Sequence, residues 1–199
     1  MHLPFALETD LERRICADPA WQAGAAWGKP RPGHGEGAVV NHIAEVLANV
    51  ERQATTPEER AALRLIALIH DSLKYQVVEE QPRTGENHHA LRARRFAERY
   101  LSDPAILDVI ELHDAAYHCW RLGHHTGDWA RAEAGAEHLL RRLGNAWPLY
   151  LRFFRCDNDS PYKERAPLRW FERVLCQRGY AVPPAGPRAG EAEAPEAGS

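Results

Sequence analysis

Apolar residues recur three and four positions apart along most of this chain, the spacing that lines one face of an α-helix. Ala, Leu, Arg and Glu dominate, β-branched residues are sparse and strand signals are nearly absent, so the pattern predicts an all-α fold. Helices are expected at about 6–24, 37–53, 57–73, 88–101, 104–118, 128–143, 146–157 and 165–178, a bundle of seven to eight. Several ends carry caps. Thr56, Pro57 and Glu59 read as N-cap, first helical residue and capping-box carboxylate; Asp103 and Pro104 repeat the cap; Asp128 opens a helix that Gly144 closes. The connections at 25–36, 75–87 and 158–164 are long enough to be expected functional or mobile. Residues 1–180 are expected to form one domain, and 181–199, rich in Pro, Ala, Gly and Glu, a disordered tail.

At 199 residues the chain can bury a sizeable core without staples. A net charge of -3 and a pI of about 6.4 exert no global pull toward duplex nucleic acid or a membrane. Cys16, Cys119, Cys156 and Cys176 lie far apart without metal-site spacing and read as reduced thiols, mostly small core residues, of a cytoplasmic protein. No export signal and no membrane span is expected.

The histidines change the picture, because some of the 11 fall on the apolar faces of their own helices. His42 lies three after Val39 and four before Val46. His70 continues the row Leu63, Ile66, Ala67 and is followed at once by Asp71. His89 is followed by Ala93, Phe96, Ala97 and Tyr100, whereas its neighbour His88 shares a face with Arg92 and Arg95. His113 continues Ile106, Val109 and Ile110, and Asp157 follows Tyr150 and Phe153. For any one of these histidines, a hydrogen-bonded role in the core or at a helix end is the commoner explanation. Four inward imidazoles with two carboxylates, and no thiolate, make together a nitrogen and oxygen site for one or two divalent ions of Mn, Fe, Co, Ni, Zn or Mg. With two ions Asp71 would bridge, His42, His70 and Asp157 serving the first and His89 and His113 the second. His2, His118, His124, His125 and His138 read as surface or loop residues.

The order His42, His70 with Asp71, then a distant Asp157 resembles the HD-domain metal-dependent phosphohydrolase superfamily. The stretch "HGEGAVVNHIAEVL" is similar to the first helix of that domain, with a loop histidine, His34, ahead of the ligand. The intervening His89 and His113 resemble the six-ligand members, and the likeness runs from about His34 to Asp157. It implies an HD-type helical bundle and metal-dependent hydrolysis of a phosphate ester, a phosphomonoester or a nucleotide. Asp71 would be catalytic through the metal, and Lys74, which a helix continuing past Asp71 sets over the same face, is either a catalytic cation that neutralises a phosphate oxygen or a solvated cation at the helix end. Many relatives carry glycine before that lysine, where this chain has Leu73, and the glutamate that some use one turn after the pair has no counterpart. Arg83, Asn158 and Lys163, in the long connections, are either substrate contacts or ordinary polar surface residues. Asp114 is either an acceptor that fixes the His113 tautomer or a polar helix-end residue. The rival expectations are a di-iron oxygenase on the same ligands and a catalytically silent helical module that binds a nucleotide or a partner.

Overall fold

The computed structural model describes residues 1–30, 37–160 and 163–184, and every regular element in them is helical. The α-helices are α1 (Asp10–Ala17), α2 (Pro19–Ala26), α3 (Val39–Gln53), α4 (Pro57–Ile69), α5 (His89–Ala97), α6 (Pro104–Leu112), α7 (Ala115–Thr126), α8 (Trp129–Leu143), α9 (Trp147–Asn158) and α10 (Ala166–Gln177). His34 and most of the 181–199 tail lie outside the described residues. No helix among those described is long and apolar enough to cross a membrane.

The last turn of α4, Ile66 to Ile69, is buried on every side, which places that helix at the centre. It packs against α3, α6 and α9, and α1 lies across it. α5 rests on α6, α7 and α8 form a hairpin joined at Gly127, and α10 closes against α7. Trp170 and Phe171 on α10 are core residues. All four cysteines are free; Cys16 and Cys156 are buried, whereas Cys176 is exposed rather than packed.

All eight expected helices form, but two are divided. Pro19 lacks an amide hydrogen and forces Asp18 into the extended region, so the run expected at 6–24 becomes α1 and α2, with Asp18 capping Ala20. The run expected at 104–118 breaks at His113 and Asp114, and α7 continues to Thr126, through a stretch not expected to be helical. The buried Tyr150 phenol bridges that break: Ala116 N–H donates to it at 3.1 Å and it donates to the His113 carbonyl at 3.3 Å. α4 ends at Ile69, four residues early, because His70 Nδ1 and Ser72 Oγ donate to the carbonyls of Ala67 and Ile69 and end the helix. α5 likewise ends at Ala97, short of the expected 101.

α1 is tied to α4 by a buried ion pair. Thr9 caps Glu12 N–H, the Glu12 carboxylate accepts from Glu8 N–H, and Arg64 Nε reaches that carboxylate at 2.7 Å. Burial pushes the Glu12 pKa up, but Arg64 and the Glu8 amide outweigh it and hold it below the ordinary 4.5. Its stabilisation is therefore complete above about pH 4.5 and fades as pH falls through the lowered folded value. Glu12→Ala is expected to cost about 2 kcal/mol in urea unfolding at pH 7. That is below the roughly 3–5 kcal/mol usual for breaking a buried pair, because Arg64 keeps the Ala6 carbonyl and Glu8. A loss independent of pH between 7 and 3 would contradict it.

Candidate metal centre

The helices that surround α4 each present one polar side chain at its C-terminal end. His42 comes from the first turn of α3, His113 from the end of α6 and Asp157 from the last turn of α9, while His89 begins α5. The turn after α4 supplies His70 and Asp71. Structure thus brings all six predicted ligands together, most of them buried.

The two oxygens of Asp71 face different imidazoles. Oδ2 lies 3.5 Å from His70 Nε2 and 3.8 Å from His42 Nε2, and those two nitrogens are 3.4 Å apart. Oδ1 lies 3.4 Å from His113 Nε2 and 3.5 Å from His89 Nε2, nitrogens that are 3.3 Å apart. Ligand atoms about 2.1 Å from one ion stand about 3.4 Å apart at a tetrahedral angle and about 3.0 Å at a right angle. Five of the six edges are close to the tetrahedral value, and the sixth, from Asp71 Oδ2 to His42 Nε2, is longer at 3.8 Å. Asp157 Oδ1 joins the first, 2.8 Å from His42 Nε2 and 3.7 Å from His70 Nε2.

Hydrogen bonding sets which nitrogen is available. His70 Nδ1 donates to the Ala67 carbonyl at 3.0 Å and His113 Nδ1 to the Ile110 carbonyl at 2.9 Å, which leaves each Nε2 with its lone pair aimed at Asp71. Asp71 Oδ1 is buried with no hydrogen-bond partner among the described residues, a state that a cation between it and two imidazoles would relieve. These donor atoms fit a divalent ion on each side of Asp71. His42 Nδ1 is also buried without a partner among the described residues.

Charge follows the same layout. Burial and the Lys163 ammonium push His42 down to about 4, and burial with His113 pushes His89 down to about 3, so both are neutral and able to coordinate at pH 7. Burial also lowers His113, but the Asp71 and Asp114 carboxylates outweigh it and its pKa is raised. Burial would neutralise Asp71; Lys74 and His70 outweigh it and hold the carboxyl well below its usual range. Lys163 and His42 do the same for Asp157.

Lys74 Nζ sits on Asp71 Oδ2 at 2.5 Å, beside the ligands, although α4 does not continue to it. The bonds from Ser72 N–H to Ile69 and from Lys74 N–H to Asp71 are of the tighter 3-10 type, in which residues three apart eclipse. Lys163 Nζ reaches Asp157 Oδ1 at 2.7 Å. The other two proposed contacts are placed elsewhere. Arg83 is exposed and has no ion-pair partner among the described residues. Asn158 is turned about a quarter of a helical revolution from Asp157 and lines a cleft with Gln53, Arg155 and Arg165. Asp114 does not fix the His113 tautomer, since the Ile110 carbonyl already does so.

Three supporting residues escaped the sequence reading. Asn87 holds the 75–87 connection and with it the start of α5: it bonds both N–H and C=O of Val78 and the carbonyls of Gln81 and Pro82. Its only signal is an Asn in a Gly-containing turn directly before the two histidines. Trp21 Nε1 donates to the Leu68 carbonyl at 2.6 Å, and Gly24 lets α2 lie directly on Ser72, so α2 backs the turn that carries His70 and Asp71. No known protein family, curated protein or solved structure matches the chain.

Proposed function

We propose that the chain is a metal-dependent phosphohydrolase that cleaves a phosphate ester, a phosphomonoester or a nucleotide, in the manner of the HD superfamily it resembles. One observation carries the reading: Asp71 turns its two oxygens to separate imidazole pairs, His42 with His70 and His89 with His113. Divalent ions held there would supply an activated water and draw charge from the phosphoryl oxygens. The chain's own cations complete the site. The Lys74 side chain is a quarter exposed and its ammonium can turn from Asp71 to a phosphoryl oxygen; Lys163 stands likewise at the Asp157 end. Two ammonium groups beside the ligands favour an anionic substrate over dioxygen alone.

The test is phosphate release from p-nitrophenyl phosphate and a panel of nucleotides. Activity is expected to vanish on chelation and return with Mn, Co, Ni, Zn or Mg, and Lys74→Ala is expected to lower kcat/KM roughly 10- to 100-fold at unchanged metal content. Two irons per chain with substrate-dependent O₂ uptake and no phosphate would instead identify an oxygenase. Tight nucleotide binding without turnover in any metal would identify the silent module.

A further inference from the structure

Asp114 differs from the other two carboxylates of this region. Asp71 and Asp157 each carry a lysine ammonium. Asp114 has no ammonium or guanidinium within 4.0 Å among the described residues, and its partners are imidazoles. Its Oδ2 lies 3.1 Å from His118 Nε2, 3.7 Å from His88 Nε2 and 3.7 Å from His89 Nε2. It stands at the start of α7 yet makes no capping hydrogen bond to that helix, which an aspartate there ordinarily does. The carboxylate is given to the imidazoles instead.

We propose that His88, Asp114 and His118 form a further metal site, for a borderline divalent ion such as Zn(II), Co(II) or Ni(II), at the outer end of the ligand row. Asp114 and His118 are four apart on one helix face, the spacing by which helical motifs chelate zinc. His88 comes to them from the start of α5, and one donor atom from each of the three lies within 4.8 Å of the others. Two imidazoles and a carboxylate suit these ions better than Mg(II) or Ca(II). The His118 side chain is 43% exposed and that of His88 26%, against 0% for His70, so this site exchanges freely with solvent.

His88 must change tautomer to bind. Its Nδ1 accepts Ala90 N–H at 3.3 Å, so the proton of the neutral ring is on Nε2. Coordination through Nε2 sends that proton to solvent while Nδ1 takes one up, with no net change, and Ala90 N–H loses its acceptor. In the buried centre His42, whose Nε2 donates to the Asp157 carboxylate at 2.8 Å, needs the same exchange, whereas His70 and His113 already hold their protons on Nδ1.

Chelator-stripped protein dialysed to equilibrium against micromolar Zn(II), with zinc per chain measured by mass spectrometry, tests this directly. His118→Ala and His88→Ala are each expected to hold one zinc fewer than wild type. His138→Ala, which removes an exposed imidazole elsewhere, is expected to lose none. His118 is exposed, so its variant keeps the fold, which far-UV circular dichroism checks. Two zincs in both wild type and His118→Ala would leave the buried centre standing and overturn the outer site. Equal zinc in the two at any other total would overturn it as well, as would an equal loss in His138→Ala.

Discussion

Asp71→Ala is expected to retain no ion at the buried centre and to show phosphate release at background, while its helical circular dichroism is unchanged. The reason is the division of its oxygens: one substitution removes a ligand from both triads, leaving imidazole pairs, with Asp157 beside only the first. Loss of a supporting residue behind a ligand lowers metal affinity about 10- to 100-fold, so loss of a shared ligand should lower it at least 100-fold at both positions. The metal-free fold suffers less. Lys74 loses its buried partner, but its side chain is a quarter exposed and can turn to water, so the cost is about 2 kcal/mol rather than the full penalty of an uncompensated charge. Metal per chain after gel filtration, with His138→Ala as control, decides the matter. Wild-type metal content in Asp71→Ala, or equal loss in both variants, would remove the basis for the two-ion centre.

The inward histidines and Asp157 were legible because they sit on rows of apolar side chains, and the packing of α3, α6 and α9 around α4 turns those rows toward one point. Asp71 was legible only through its neighbour. What could not be read has three distinct causes. The division at Asp18 was written in Pro19, a local signal that the strong helical periodicity on either side overrode. The break at His113 has no local signal, since it depends on Tyr150 reaching back from α9 to replace backbone hydrogen bonds. His118 is exposed, as its own helix predicts, but its nearness to Asp114 one turn earlier, a carboxylate that His88 at the start of α5 also faces, could not be read. Side chains that act within one helix can be placed from periodicity; those that act across helices need the packing.

The close contact of α2 with the Asp71 turn leads to the second large expectation. Gly24→Ala should destabilise the metal-free protein by about 4 kcal/mol or more and weaken metal binding at the same time. A β-carbon on Gly24 would fall 1.5 Å from the Ser72 carbonyl oxygen and 2.6 Å from its carbon. Neither atom belongs to a side chain that can rotate away, so α2 or the turn must move. If α2 moves, Trp21 withdraws from the core and from the Leu68 carbonyl, its fully buried indole losing packing and a hydrogen bond together. If the turn moves, Asp71 shifts against four imidazoles placed 3.4 to 3.8 Å from its oxygens, and the ligand triangles no longer match an ion. Gly135→Ala is the matched control. Its added carbon meets the Cys119 Sγ at 2.8 Å, the end of a side chain that can turn aside, and it lies on α8 away from the ligands. Urea unfolding and metal affinity of the two variants separate the cases: a large loss of both in Gly24→Ala and a small loss of stability alone in Gly135→Ala. Equal behaviour of the two would mean that α2 does not position the metal centre.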